Sequence, residues 1–425
     1  MKEKLGKLEK FWVLYDVGNS AFILLVSTII PIYFKNMAAE NGISAANSTA
    51  YLSYAISVST ILAALIGPVL GTVADNKDHK KPLFTFFLIL GVLGCAGLSL
   101  PKTWILFLAV FVVAKVGFSG SLIFYDSMLT DITTDERMDE VSSHGFAWGY
   151  IGSCIPFLMS LGLIFNAETI GISGTAATMI AFVLNAVWWG LMTLPLLKNY
   201  RQNYYVDQTG IRTKEIFHRL ADVMLEIRKN RKVLLFLVAF FFYMDGVYTI
   251  IEMASSYGKD VGIGDSSLLL AFLMTQIVAF PCAILFGKLT RKFEPKVLIS
   301  ICIGAYFVVA VYALQLDSAW KFWLLATVVG VFQGAIQALS RSYFAKIIPK
   351  EKSSEYFGIF DIFGKGASFL GTMLMGISTQ IFGTSKAGVV VIAVMFVIGF
   401  FVFRMQCRAA EAEPKVGMTL EGQEL

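Results

Sequence analysis

Charge is scarce in this chain. Of its 425 residues only 15% are Asp, Glu, Lys or Arg, against about 25% in ordinary soluble proteins. Hydrophobic residues make up 56%, and the mean hydropathy is +0.69. A soluble fold built from this composition would expose apolar patches too large to stay dispersed. A soluble enzyme, a nucleic-acid-binding domain and a disordered chain are therefore excluded. Histidine is rarer still: His79, His144 and His218 are far apart and fall in loops or at the ends of apolar runs, so no metal ligand set is expected. Cys95, Cys154, Cys282, Cys302 and Cys407 lack CxxC or Cys/His spacing and read as small core residues rather than disulfides or metal ligands. No GxxxxGK[ST] stretch occurs, which removes the usual phosphate-binding loop. No cofactor is expected, and any work must draw on a gradient or on the substrate itself.

What the chain has instead is long apolar runs. A bilayer core near 30 Å is crossed by about 20 apolar residues in a helix. Twelve runs qualify, at roughly 11–35, 49–74, 82–100, 103–127, 143–166, 172–197, 231–257, 267–291, 296–314, 319–348, 354–382 and 385–405. They are continuous and lack period-2 alternation, so helices are predicted rather than strands. The first run is too long for a cleaved signal peptide, carries Asp16 inside it and lacks a small-residue cleavage pattern. It is expected to remain as a helix.

Orientation follows from Lys and Arg. With the N-terminus in the cytoplasm, only Lys35, Lys102, Lys259, Lys321 and Lys386 fall on the far side; Lys115 and Lys365 lie within spans, and the remaining Lys and Arg are cytoplasmic. The asymmetry requires an even number of spans with both termini inside. The longest polar stretch, 198–230, divides the chain into an N-terminal six-helix bundle over 1–197 and a C-terminal one over 231–405, followed by a cytoplasmic tail over 406–425. Within the linker, Ile216, Phe217, Leu220, Met224 and Ile227 share one face of a helix predicted over 211–229 and Arg219, Arg228 and Lys229 the other, the pattern of a helix lying on the membrane surface.

The two halves repeat weakly. Gly71 and Gly287 hold matching places after spans 2 and 8. Tyr15, Asp16 and Gly18 in span 1 echo Tyr243, Asp245 and Gly246 in span 7, and YDSMLTDIT at the end of span 4 echoes SRSYFAKII at the end of span 10, with Arg341 aligned to Asp126. The fold class is all-α integral membrane: twelve transmembrane helices in two pseudo-symmetric bundles. Such architectures place a substrate site near the midplane, between halves that rock. Glycines and prolines at Gly67-Pro68, Gly71, Gly149, Gly152, Pro156, Gly364, Gly366 and Gly371 permit close helix approach and bending.

The segment from Gly71 through Asp75 to Lys80 and Lys81 resembles the signature loop of the major facilitator superfamily, with Asn76 where an Arg usually follows the Asp. The strings WVLYDVGNSAF, FYMDGVYTIIEMASSYG, GAIQALSRSYFAKIIP and EYFGIFDIFGKGASFLG resemble the vacuole-effluxer-like family, over essentially the whole chain. That family includes fungal vacuolar amino-acid exporters linked to autophagy, which tend to be longer, and many bacterial members. The resemblance implies a major facilitator fold, a bacterial inner-membrane location and export of a small polar solute, an amino acid being the first candidate. It also implies that the loop around Asp75 latches the halves together; Gly71, Asp75, Lys80, Lys81, Asp126 and Arg341 are the candidate gating residues.

Charged groups at bilayer depth are costly and are functional candidates. At 1.5 Å per residue, Lys115 lies about 18 Å into span 4, Lys365 about 16 Å into span 11 and Asp245 about 20 Å into span 7. Lys115 has no acidic neighbour on its own helix face and needs a partner from another helix or a ligand anion; Lys365 has Asp361 one turn earlier. The substrate-binding candidates are Lys115, Asp245, Asp16, Asn19, Tyr15, Gln333, Gln337 and Lys365. The proton-coupling candidates are Asp245, Glu252, Asp16 and Asp361, because a buried carboxyl can exchange protons near neutral pH. Lys115 paired with a carboxylate suits a zwitterion, or an organic anion moved with a proton. The expected partners are this solute, protons and lipid, with no nucleic acid, and the default state is a monomer. The competing classes are a multi-pass enzyme, which would need clustered catalytic groups, and a receptor or scaffold, which would tolerate loss of its intramembrane charges.

Overall fold

The computed structural model describes residues 4–206, 222–260 and 262–412. Each apolar run becomes a helix, as it must where lipid offers the backbone no hydrogen bonds. Helix α1 runs Lys7–Ser27 and, after a break at Thr28, continues as Ile29–Glu40. There follow α2 (Ala45–Ala74), α3 (Lys80–Gly97), α4 (Trp104–Ser127), α5 (Met138–Phe165) and α6 (Gly174–Asn199). The second half comprises α7 (Arg231–Asp260), α8 (Asp265–Leu289), α9 (Pro295–Ala313), α10 (Ala319–Ile347), α11 (Ser353–Phe382) and α12 (Ser385–Ala412). Among the described residues eleven candidate spans are long and apolar enough to cross a membrane. The twelfth long helix, α11, spans 30 residues and carries Glu355, Asp361 and Lys365. Because twelve crossings return the chain to its starting side, both ends lie at one face of the bundle, here called the terminal face.

Helix α12 continues to Ala412, beyond the predicted start of the tail at 406. Most of the helix expected over 211–229 lies outside the described residues. Its last part is present: residues 222–229 are helical, with Val223 and Ile227 buried and Met224 and Leu225 exposed, so that Met224 does not share the buried face of Ile227 as expected and Val223 takes its place.

The internal repeat is visible in matched hydrogen bonds. Tyr15 of α1 and Ser121 of α4 lie 2.7 Å apart through their hydroxyls, and so do Tyr243 of α7 and Ser340 of α10. This register places Leu122, not Asp126, opposite Arg341 in the repeat. The two charged residues are related by contact instead. The halves meet along two symmetry-related pairs, α2 against α11 and α5 against α8. At both, a glycine lets the first two turns of the partner helix come close. A Cβ on Gly71 would lie 2.5 Å from the Ser354 carbonyl oxygen, and one on Gly287 would lie 2.6 Å from the Ser143 Cβ.

Candidate functional site

At the terminal face α11 begins with amide groups that its own helix cannot satisfy. Asp75, at the end of α2, supplies the acceptors from the other half. Its Oδ1 accepts the Ser354 N–H and its Oδ2 the Glu355 N–H, each at 2.9 Å, a carboxylate set on a positive helix end. The side chain of Glu355 is held as well, with the Thr72 hydroxyl of α2 donating to its Oε1 at 2.6 Å. Asn76, at the position where Arg is usual, instead closes its own helix: its side-chain amide donates to the carbonyls of Thr72 and Val73. Lys80 takes up the basic role. Fully buried, its ammonium reaches Asp131 Oδ2 at 2.9 Å and, across the halves, Ser353 Oγ at 3.0 Å. Lys81, the neighbouring candidate, is half-buried. Burial pushes the Asp75 carboxyl up to about 6, against the lowering pull of Lys80 and the two amides.

Deeper in the bundle sits Arg341 of α10, 3% exposed. Its Nη1 donates to Asp126 at 2.9 Å and its Nη2 lies 3.4 Å from Asp16. Nε donates to the Ser142 hydroxyl at 2.9 Å, and Nη2 also to the Ser142 carbonyl. The guanidinium carbon lies 4.6, 5.6 and 4.3 Å from the ring centres of Trp12, Tyr125 and Phe146, within cation–π range. The Tyr125 hydroxyl donates to Asp16 Oδ2 at 2.7 Å. All of these partners belong to the N-terminal half, so one buried cation of one half is held by two carboxylates and three rings of the other. Around it the rim is pinned by Lys346–Asp139 at 2.6 Å, Lys350–Asp135 at 2.8 Å and Arg291–Glu140 at 2.5 Å. Arg291 is half exposed, and exposed pairs of this kind contribute little. Beyond Gly67, toward the opposite face, Tyr54, Val58, Ile61 and Leu65 of α2 are exposed.

Of the predicted gating residues, Gly71, Asp75, Lys80, Asp126 and Arg341 come together where the halves meet at this face. Asp16 joins them through Arg341, and Asn19 lies beside it, its amide donating to Asp16 Oδ1 at 3.4 Å. Tyr15 is spent on Ser121. Lys115 is half-buried on α4, about 16 Å of helix rise from Asp126. Asp361 and Gln337 are half-buried, Gln333 is buried and Glu252 is exposed; Lys365 lies in α11 and nothing is described of its side chain. Asp245 is fully buried inside the C-terminal half. Its Oδ1 accepts the Gly371 N–H of α11 at 2.7 Å and faces the Thr249 hydroxyl at 3.4 Å, and its Oδ2 has no hydrogen-bond partner among the described residues. Nearby, Thr249, Phe272, Gln333, Met375 and Ile392 help to line a mainly apolar cavity of about 110 Å³ within the same half.

Ser142, Ser353, Ser354, Glu355 and Asp131 were not legible as site residues. Asp131 alone offered a signal, a carboxylate stranded in DSMLTDIT next to a predicted helix end.

The family model described as vacuole effluxer Atg22 like matches residues 7–138 and 130–412. A Bacillus subtilis (strain 168) protein described as the uncharacterized MFS-type transporter YxiO is 46% identical, with 95% of each chain covered. Autophagy-related protein 22 of Eremothecium gossypii is 22% identical over 87% of this chain and 84% of its own. Among solved structures, FucP in the outward conformation superposes with a TM-score of 0.72 at 13% identity, covering 94% of this chain and 97% of that one. The human organic anion transporter MFSD10 superposes with a TM-score of 0.71 at 12% identity over 94% and 100%. The likeness to these structures is one of fold.

Proposed function

This chain belongs to the vacuole effluxer Atg22-like family of major facilitator transporters, and from that premise we propose that it moves a small polar solute, an amino acid first among the candidates, by proton-coupled alternating access across a bacterial inner membrane. The observation that carries this is the closed face itself. Two similar bundles meet through Asp75 on the start of α11 and Arg341 in its aromatic cage. Contacts of this kind hold a transporter shut on one side. By the distribution of Lys and Arg the terminal face is cytoplasmic, so the captured state is outward-facing. A monomer suffices, since each chain carries both halves.

Asp245 is the proton carrier in this scheme. A carboxyl with one oxygen pinned on a backbone amide of α11 and the other without a hydrogen-bond partner among the described residues is poised to take a proton. Lys115 meets the carboxylate of the solute. Asp16, held by Arg341 and Tyr125, belongs to the closed face rather than to the solute. A small organic anion, with the carboxyl of Asp245 carrying the accompanying proton, is the second candidate.

The test is transport of radiolabelled amino acids by purified protein in liposomes, with and without an imposed pH gradient. The wild type is expected to accelerate several-fold under the gradient. Lys115→Ala should abolish transport at normal expression, and Asp245→Asn should leave only gradient-independent exchange. Equal rates with and without the gradient would remove proton coupling. Movement of organic acids but not amino acids would select the second candidate.

Asp75 adds a pH dependence to the closed face. Buried, its carboxyl titrates near 6; freed to water it would return to about 3.9. The closed state therefore binds the proton more tightly, and this group favours closure below about pH 4, a contribution lost as pH rises through 6. Spin labels at the exposed positions Glu136 and Lys292, in a background without the native cysteines, should report a larger closed fraction at pH 5 than at pH 7.5. Asp75→Asn should flatten that dependence.

A further inference from the structure

The residues that leave α6 do more than lead to the linker. They wrap around Asp131, in the short turn Leu129–Ile132 after α4. The Asp131 side chain has no exposure, and neither has that of Lys80, its ion partner. A buried pair is tolerable only where the carboxylate's remaining lone pairs are filled. Residues 200–204 fill them. The Tyr200 hydroxyl donates to Oδ2 at 2.6 Å, and the N–H groups of Asn203 and Tyr204 both donate to Oδ1 at 2.9 Å. The Asn203 side-chain amide takes the Asp131 carbonyl at 2.7 Å.

The same segment grips the loop around Asp75. Gln202 donates to the Ala74 carbonyl and accepts the Lys80 N–H. The Val206 N–H donates to the Asp75 carbonyl at 2.8 Å, in a parallel bridge between Asn76 and Val206. It also reaches the other half, where the Lys350 ammonium lies 5.3 Å from the Tyr204 ring centre. At the linker's far end, Glu226 in the helical residues 222–229 binds Lys352, just before α11, at 2.7 and 2.8 Å. Both described ends of the linker thus converge on the turn Lys350–Lys352 that leads into α11.

We propose that residues 200–206 are a clasp: Tyr200 and the amides of Asn203 and Tyr204 position the Asp131 carboxylate, which in turn aims Lys80 across the halves at Ser353. Tyr200 and Asp131 are then positioning residues for closure, and the attachment of the linker, not only its length, sets how firmly the terminal face shuts. With the clasp undone, the Asp131 carboxylate keeps unfilled lone pairs, water enters the pair, and Lys80 loses its fixed direction. This rests on the closed face being the gate.

The test uses the full chain with spin labels at Glu136 and Lys292, reading the closed-to-open ratio by pulsed electron resonance and the Tm in parallel. Tyr200→Phe, which removes a single hydroxyl, is expected to lower the ratio about ten-fold, and Asp131→Asn to lower it further. Asp75→Ala serves as the reference that opens the gate. If Asp75→Ala shifts the distances and Tyr200→Phe lowers only the Tm, or changes nothing, the clasp is refuted and the gate stands. If Asp75→Ala leaves the distances unmoved, the gate reading fails and the clasp falls with it.

Discussion

Arg341→Ala is expected to open the terminal face. The substitution takes the cation away from Asp16 and Asp126 while leaving both carboxylates in place, one buried and the other about a fifth exposed at its side chain. Removing one partner of a buried ion pair costs about 3–5 kcal/mol. Here most of that cost falls on one state, because opening the face lets water reach the carboxylates. The lower end of that range corresponds to roughly a hundred-fold change in the closed-to-open ratio. Three aromatic contacts of the guanidinium are lost as well. Distances between labels at Glu136 and Lys292 should lengthen for most molecules. Transport should fall at least ten-fold while the purified protein remains monodisperse. Arg341→Lys should recover little, since an ammonium cannot reach Asp126 and Ser142 together in the geometry of the fork. Removing all three charges at once, as Asp16→Asn, Asp126→Asn and Arg341→Leu, should close the face again, because uncharged groups of similar size carry no desolvation cost. An unchanged distance distribution in Arg341→Ala would show that the cage is packing and not a gate.

That cluster marks where the sequence could be read and where it could not. The spans were legible because bilayer thickness sets a length and lipid forbids polar backbone; predicted and observed helix starts and ends mostly agree within a few residues. The loop around Asp75 was legible because its residue types are close together in the chain. The partners of those residues were not. Asp75 meets Ser354 and Glu355, and Arg341 meets Asp16, over separations of hundreds of residues, and no local period encodes such a contact. Asp16 illustrates the cost. A lone carboxylate in a span reads as a ligand or proton site, and only the approach of α10 turns it into a counter-ion. The Tyr15 and Tyr243 motifs fared better, because a duplicated bundle repeats its internal contacts and the same hydroxyl pair recurs in both halves.

Gly71→Ala should do nearly as much damage as the loss of Arg341, starting from a steric clash. The added methyl would stand 2.5 Å from the Ser354 carbonyl oxygen, 2.8 Å from its carbonyl carbon and 2.9 Å from the Glu355 Cα. These are backbone atoms of a helix start and cannot swing aside as a side-chain tip can. To make room, α11 must retreat by several tenths of an ångström, and it carries with it the two amides that Asp75 accepts at 2.9 Å. Charge-assisted hydrogen bonds to a buried carboxylate contribute about 1.5–3 kcal/mol each, so weakening both adds to the steric cost, and the closed state should lose at least ten-fold in population. Gly287→Ala, at the symmetry-related contact, meets a serine side chain first and should cost less. Gly304→Ala in α9 is the control: nothing lies within 4 Å of a Cβ there, and replacing a mid-helix glycine by alanine should stabilise by roughly 0.5–1 kcal/mol. Transport rates and label distances should therefore rank Gly304→Ala with the wild type, Gly287→Ala below it and Gly71→Ala lowest. If Gly71→Ala transports as well as Gly304→Ala, α2 and α11 do not approach this closely in the working cycle, and closure at Asp75 cannot be the step that shuts the terminal face.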